Sequence, residues 1–407
     1  MAVSIDDIRD AAELIAGDVV RTPIVPAQSL SADLGADVYL KLETLQRTGS
    51  FKDRGSLVKL KSLTTAEAER GVIAVSAGNH AQGVAAHAQR LGIPATILMP
   101  EGTPFNKIRR TQAYGADVVL KGETLNEAEP HAHELAAEHG YTFVHPYDDD
   151  RIIAGQATVG LETPADAPDL DIIVAPIGGG PIPSGIATAA KATNPRIEVI
   201  GVESETYPSM YNAIHGIDGS LGGDTLADGI AVKSPGALTR PIVEALVDGI
   251  AVVAEASIEA AVQTLLIDAK LLVEGAGATP LAAVMEQRDR FRGRRVGLVA
   301  CGANIDPRIL SSIVMRGMSR AGHLASLRVS ITDQTGTLAR VAKVIGDAGG
   351  NIVEIHHQRM FSRIPVKRAE LNALVETRDA AHADTIIASL EEAGFPTRRR
   401  SERSEDD

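Results

Sequence analysis

The stretch TGSFKDRGS (48–56) sets one lysine, Lys52, beside Phe51 and among small polar residues. A lysine amine gives up its proton readily when buried, whereas an arginine stays charged. An amine in such a setting suits a Schiff base with an aldehyde. A second stretch, PIGGGPIPSG (176–185), follows an apolar run and opens a helical one. Gly178, Gly179 and Gly180 let the backbone approach an anion closely, and the following helix turns its free N–H groups toward it. A phosphate is the natural guest. The spacing matches neither G-x-x-x-x-G-K-[ST] nor G-x-G-x-x-G with its acidic partner, so no nucleotide P-loop or dinucleotide site is expected.

Two further turns follow apolar runs. SAGNHAQG (76–83) offers Ser76, Asn79 and exposed N–H groups to a carboxylate or hydroxyl, although Ser and Asn are also ordinary helix caps. ACGANID (300–306) sets the chain's single cysteine, Cys301, beside Gly302 and Asn304. A phosphate cradle, a carboxylate turn and a reactive amine together fit pyridoxal phosphate as cofactor.

Elements must position these residues. Short, nearly continuous apolar runs at 38–43, 71–77, 95–100, 116–122, 171–180, 198–203, 251–256 and 295–302 read as strands covered on both faces. Helical spacing fills the gaps, as in HAQGVAAHAQRLG, NKIRRTQAYG and IEAAVQTLLIDAKLL. The alternation predicts an α/β protein with parallel sheets, whose ligands bind beyond the strands' carboxyl ends. After about residue 322 the order changes to βαββα with a last strand available in the tail, a ferredoxin-like layout, so a domain boundary is expected at 320–324.

Composition narrows the class. The chain has 407 residues and a formal net charge of −13, which argues against nucleic-acid binding. One cysteine excludes an internal disulfide and suits a reducing cytoplasm. No run is apolar enough for a membrane helix, and the N-terminus lacks a signal-peptide profile. The terminal RRRSERSEDD reads as a solvated tail. His356 and His357 are neighbours on a strand and so point to opposite faces, which argues against a metal pair.

The segments VYLKLETLQRTGSFKDRGS, SAGNHAQGVA, FVHPYDDDRIIAGQATVGLE, IGGGPIPSG, ADGIAV, VEGAGA and CGANID, in this order, resemble the threonine/serine ammonia-lyases (threonine dehydratases) of the fold-type II pyridoxal-phosphate enzymes, the tryptophan synthase β superfamily. DQTGTLARVAKVIGDAGGNI is similar to an ACT domain. The resemblance implies a catalytic region at 1–322, with a large domain at about 1–50 and 150–322 and a small one at about 51–149. It implies a βαββαβ ACT-like regulatory domain with a polar tail at 323–407. It also implies that Lys52 carries the cofactor and moves the proton, that Gly178, Gly179, Gly180 and the following turn bind its phosphate, and that Phe51 packs along its ring. Asn79 would lie by the ring hydroxyl, Cys301 by the ring nitrogen, and Gly229 and Glu274 near the ring and amino group. Ser76, Gly78, Asn79 and His80 would hold the substrate carboxylate. Pro181 stands where many relatives carry a fourth glycine, which shifts the expected phosphate contacts toward Ser184 and Gly185.

The implied reaction is α,β-elimination converting L-threonine to 2-oxobutanoate and ammonia, with L-serine to pyruvate also open. A serine racemase is the rival. Racemase relatives carry a second base where this chain has Ala77, which has no exchangeable side-chain proton. A non-catalytic amino-acid sensor is the rival from another class. Racemase relatives also hold a divalent cation near VESETYPSM. Glu203 is the candidate ligand here, with Tyr207 and Ser209 against it. Gly336 and Asn351 are the candidate contacts for a branched-chain amino-acid effector, as in isoleucine biosynthesis, and a homo-oligomer, dimer or tetramer, is expected.

Overall fold

The computed structural model describes residues 3–358 and 368–400. The chain divides into two compact units, the first ending at Ile305 and the second beginning at Asp306, so the helix Pro307–Arg320 groups with the second.

The first unit holds two sheets. The larger runs in the order Ile24–Pro26, Asp37–Leu42, Arg295–Ala300, Ile172–Pro176, Glu198–Ser204, Gly249–Val253. Its first pair is antiparallel and the rest are parallel. The smaller runs Asp117–Leu120, Ala95–Met99, Val72–Val75, Thr142–Phe143, parallel throughout. Val72–Val75 and Ile172–Pro176 are buried at every position, as unbroken apolar runs require when helices cover both faces. Val75 leads into the helix Asn79–Leu91, and Pro176 leads into Pro181–Thr193. Both turns singled out in the sequence therefore lie at strand carboxyl ends, ahead of helix N-termini.

The helix Lys52–Lys61 carries the candidate lysine at its first position. It packs between Asn79–Leu91 and Asp150–Asp166 at glycines that permit close approach. A Cβ added at Gly155 would come within 2.5 Å of Gly55 Cα, and one at Gly83 within 3.3 Å of the Lys52 carbonyl.

Several boundaries differ from the sequence reading. The run 251–256 is the end of the strand Gly249–Val253, and Glu255 already begins a helix. That helix stops at Ile267 rather than at 272, and Lys270 follows with φ 56°, a left-handed conformation that helical residues do not adopt. The short strands Ile24–Pro26 and Thr142–Phe143 have too few apolar residues to register as runs.

The second unit contains the helix Pro307–Arg320 and then strand Leu324–Thr332, helix Thr337–Asp347, strands Asn351–Gln358 and Arg368–Glu376, helix Ala380–Glu392 and strand Thr397–Arg399. The sheet order is Asn351–Gln358, Arg368–Glu376, Leu324–Thr332, Thr397–Arg399, antiparallel throughout. This is the βαββαβ layout. Burial alternates along Leu327, Val329 and Ile331 and along Leu371, Ala373 and Val375, which pack with Val341, Ile345, Ile386 and Leu390. Arg398 and Arg399, read as solvated tail, instead belong to the last strand and pair with Leu327 and Arg328. The end of the expected strand, 359–361, and the tail 401–407 lie outside the described residues. Among the described residues no helix is long and apolar enough to cross a membrane.

The crossing beneath Lys52 yields a stability prediction. Gly155→Ala should destabilise the protein by about 1–3 kcal/mol, because backbone rather than a flexible side chain blocks the new methyl. Chemical denaturation of the variant beside the wild type checks this. An unchanged midpoint would show that the crossing has slack.

Candidate active site

Lys52 Nζ donates to the Pro146 carbonyl at 2.7 Å and lies 5.2 Å from the Phe51 ring centroid. Burial lowers its pKa to about 8, against the opposing influence of Cys301 and Glu274. The preceding loop is stitched to the segment after strand Arg295–Ala300. Phe51 N–H donates to the Cys301 carbonyl at 3.0 Å, Ala303 N–H donates to the Gly49 carbonyl at 2.9 Å, and Ser50 bridges Gly302. Gly49 has φ 75°, a conformation that glycine adopts without strain.

Four consecutive residues, His145 to Asp148, tie the lysine to the glycine turn. His145 Nδ1 accepts N–H groups from Tyr147 at 3.2 Å and Asp148 at 2.8 Å. This tight turn presents the Pro146 carbonyl to Lys52. The Tyr147 ring covers Gly179 so closely that an added Cβ would sit 2.2 Å from it. The Asp148 carboxylate accepts from Ala237 N–H at 3.0 Å and Leu238 N–H at 2.8 Å, while Thr239 Oγ1 donates to the Gly179 carbonyl. Gly180, at φ 100°, then starts the helix Pro181–Thr193. Among the described residues, the N–H groups of Gly178, Gly179 and Gly180 donate to no protein group. They form a donor-rich concavity at a helix N-terminus.

At the other turn, Ser76 Oγ accepts the Gly78 N–H at 3.2 Å, and the helix begins at Asn79. The first N–H groups of such a helix have no intrahelical partner. His80 brings only this backbone group to the turn. Its ring is buried, with Nε2 at 2.9 Å from the Val144 carbonyl, and burial followed by the nearby Lys52 lowers its pKa to about 3.

Between the two turns, Asn79 Nδ2 donates to Glu274 Oε1 at 2.6 Å, and Asn304 Nδ2 donates to Asn79 Oδ1 at 2.7 Å. Burial, with a smaller contribution from Asp228, raises the Glu274 pKa to about 7. Gly229 lies beside Glu274, since a Cβ there would be 3.7 Å from Oε1. Cys301 is buried, and burial raises its thiol well above the usual range. Lys52, Phe51, Asn79, Gly229, Glu274 and Cys301 thus belong to one linked neighbourhood.

Three expectations change. Ser184 commits its N–H and its hydroxyl to the Gly180 carbonyl, at 3.1 and 2.7 Å, so it offers no free donor to the glycine turn. Gly185 faces Ala157, where an added Cβ would approach within 2.6 Å, and so serves helix packing. Glu203, the candidate cation ligand, is engaged by backbone groups. Its Oε1 and Oε2 accept N–H groups from Met210 and Tyr211, both at 2.8 Å, at the start of Ser209–His215. Among the described residues no group of three His, Cys, Asp or Glu side chains could hold a metal ion.

Sequence reasoning passed over Pro146, His145, Asp148 and Asn304 as site residues. The cluster HPYDDD, turn-forming residues directly after an apolar run, was the available signal. In the second unit, Gly336, at φ 82°, starts the helix Thr337–Asp347, and a Cβ there would meet nothing within 4 Å. Asn351 Nδ2 donates to Glu376 Oε2 at 3.0 Å across the sheet.

The profile described as pyridoxal-phosphate dependent enzyme matches residues 15–302, and the profile described as ACT domain matches residues 319–393. An L-threonine ammonia-lyase of Thermotoga maritima is 40% identical over 398 residues, covering 97% of this chain and 99% of the relative. The solved processed form of threonine deaminase isoform 2 from Solanum lycopersicum is 36% identical, with a TM-score of 0.71, covering 76% of this chain and 86% of that one. Maize serine racemase is 32% identical with a TM-score of 0.73, covering 79% and 99%.

The Glu203 cap has a pH consequence. Burial raises its pKa from 4.5 to about 7, against the backbone N–H groups of Met210 and Tyr211. The folded state therefore holds this proton more tightly than the unfolded chain. The stability it contributes is fully present below about 4.5 and is lost as pH rises through about 7. Glu203→Gln should be less stable at acid pH, because one N–H faces an amide donor, and should show a flatter melting-temperature profile across that window. Manganese or magnesium should leave the wild-type melting temperature unchanged. A cation-induced rise that vanishes in the variant would contradict the capping role.

Proposed function

We propose that this chain, which belongs to the pyridoxal-phosphate dependent enzyme family, is a threonine ammonia-lyase. It eliminates the β-hydroxyl of L-threonine as water and then releases ammonia by hydrolysis, leaving 2-oxobutanoate, and takes L-serine to pyruvate by the same steps. The observation that carries this reading is a partly buried amine of lowered pKa, Lys52, held one residue away from the ring that covers a glycine turn with three undonated N–H groups.

The residues fit the cofactor. Three convergent N–H groups suit a phosphate dianion, and the Lys52 amine suits an aldehyde. When bound, pyridoxal phosphate supplies an electron-withdrawing ring that takes up the charge left as the Cα proton departs. In this reading Gly178, Gly179 and Gly180 hold the phosphate, Phe51 packs along the ring, Asn79 meets the ring hydroxyl, and Cys301 faces the ring nitrogen. Gly229 and Glu274 border the ring and amino group.

The chain's own groups then divide the work. Lys52 takes the Cα proton, because a pKa of about 8 leaves an appreciable fraction of the amine deprotonated near neutral pH. The Pro146 carbonyl accepts a hydrogen bond from that amine and directs it. The opening N–H groups of Asn79–Leu91, with Ser76 and Gly78, receive the substrate carboxylate. A thiol whose pKa is raised stays neutral and places no formal charge against the ring nitrogen.

The catalytic region expected at 1–322, with lobes at about 1–50 with 150–322 and at 51–149, is part of this proposal, although the helix Pro307–Arg320 groups with the second unit. The ACT domain binds a branched-chain amino acid near Gly336 and Asn351 and adjusts catalysis within a cytoplasmic homo-oligomer, a dimer or tetramer. Ligand control of this kind requires the effector to favour one of two arrangements of the assembly.

Purified Lys52→Ala should lose keto-acid release from both substrates and the visible absorbance of bound cofactor. Undiminished release by this variant would refute the assignment. Isoleucine or valine should bind the full-length enzyme and change its rate on threonine. Absence of both binding heat and rate change would reject this effector class.

A further inference from the structure

Asn304 lies beyond every role assigned above, yet it joins three parts of the site. Its Nδ2 donates to the Thr48 carbonyl at 2.8 Å and to Asn79 Oδ1 at 2.7 Å, and its backbone N–H donates to Glu274 Oε2 at 3.2 Å. Asn79 Nδ2 closes the circuit on Glu274 Oε1 at 2.6 Å. The result is a ring of hydrogen bonds through Asn304, Glu274 and Asn79, tethered to the loop that leads into Lys52.

The polarity of this ring is fixed by backbone groups. A carbonyl only accepts, so Thr48 obliges Asn304 to turn its amide nitrogen toward the loop and toward Asn79. Asn79 must then present its oxygen to Asn304 and its nitrogen to Glu274. A backbone N–H only donates, so Asn304 N–H requires an acceptor at Glu274 Oε2, as found. Each amide is thereby held in one of its two flip states. Asn79 uses one of its two Nδ2 hydrogens on Glu274, and the second is available to a ligand. Thr48 is itself anchored. Its N–H and hydroxyl donate to Asp53 at 2.9 and 2.5 Å, on the first turn of the Lys52 helix. Gly49 belongs to the same arrangement, because a Cβ there would press to 3.3 Å from Asn304 Oδ1, which also faces Arg110 at 3.5 Å.

We propose that Asn304 is a positioning residue, which locks the Asn79 amide with a donor toward the cofactor and couples that amide to the Lys52 loop. The inference rests on the reading that pyridoxal phosphate occupies this site with Asn79 beside it. Asn304→Asp keeps the size and removes the donors. The Asn79 amide then turns over to donate to the new carboxylate and offers the site an oxygen. Asn304→Ala leaves Asn79 free to adopt either state.

The test is a double-mutant cycle on cofactor affinity, measured by titrating apoenzyme with pyridoxal phosphate and following visible absorbance. Asn304→Ala and Asn79→Ala should each weaken binding about tenfold, the value of one or two lost hydrogen bonds. The double variant should be no more than about threefold weaker than the worse single one, because Asn304 acts through Asn79. Asn304→Asp should weaken binding at least as much as Asn304→Ala and should shift the pH titration of the bound cofactor's absorbance. Apoenzyme melting temperatures identify any variant that fails to fold. If Asn304→Ala is such a variant, the isosteric Asn304→Asp and its combination with Asn79→Ala decide. Multiplicative losses in the cycle, or an Asn304→Asp variant with wild-type affinity and titration, overturn the inference. A wild type that binds pyridoxal phosphate but releases no keto acid overturns the reaction assignment alone.

Discussion

The seating of the helix Lys52–Lys61 is the constraint on which the site depends, and its anchor is Arg54. This guanidinium is fully buried two residues beyond Lys52. It donates to Glu43 Oε1 and Oε2 at 2.8 Å, to Glu162 at 2.7 and 2.8 Å and to Thr158 at 3.0 Å. Lys41 joins it, donating to Glu162 Oε2 at 2.6 Å. Burial alone would lower the Arg54 pKa, and the carboxylates of Glu43 and Glu162 more than reverse this. Two cations thus face two anions, with strand, helix and loop each supplying partners. Such a cluster is weak evidence for net stability, because desolvation offsets much of the attraction, but removing one member leaves buried charge uncompensated. Its structural effect is directional: a bidentate fork fixes the rotation of the helix about its own axis. That rotation aims Lys52 at Pro146. The glycines at 55, 83 and 155 set how deep the helix sits, and the charge cluster sets which way it faces.

With the lysine fixed, burial sets the protonation states around it. Desolvation is the leading influence on Lys52, His80, Glu274 and Cys301 alike. It lowers the two bases and raises the two acids, so each shift is toward the neutral form. His80 and Cys301 are therefore neutral near pH 7, while Lys52 and Glu274 are brought to where they exchange protons readily. Hydrogen-bond donors from backbone and amide groups supply polarity. These cost no reorganisation when charge develops, and they act in a medium where electrostatic effects are strong. Two backbone turns, at Gly178–Gly180 and Ala77–His80, offer such donors where an anion-binding site would otherwise need arginine.

The sequence revealed most of this where the signal was local and periodic. Unbroken apolar runs located the central strands because both faces of a parallel sheet are covered. The turns at 76–83 and 176–185 stood out because glycine and serine interrupt such runs just where helices start. Hidden from the sequence were contacts between residues distant in the chain. Asn304 lies 225 positions from Asn79 and 256 from Thr48. His145 looks like any loop histidine until its Nδ1 is seen to hold a turn. Glu203 sits on a strand end as a ligand would, and only the geometry of Met210 and Tyr211 reveals that a helix has already used both of its oxygens. Ser184 misled for a related reason. A serine in the first turns of a helix has a competing acceptor, the carbonyl four residues back, and here that acceptor is the Gly180 carbonyl itself.

The same fold is shared by proteins named for elimination and for racemisation, so architecture does not choose between the two outcomes. The choice must lie in which groups stand on each side of Cα. In the proposed reading Lys52 stands on one side of Cα and exchanges its proton. Racemisation needs a second exchangeable proton on the other side, delivered faster than the β-hydroxyl departs. Residue 77, between Ser76 and the Gly78 cap, is alanine, and a methyl group holds no such proton. Ser76, the nearest hydroxyl in the chain, already accepts the Gly78 N–H and is tied into the turn. Ala77 supplies no returning acid, which fits the elimination proposed above, in which the charge left at Cα is relieved by loss of the neighbouring hydroxyl. In the proposed reading, the preference for elimination follows from the missing donor at residue 77.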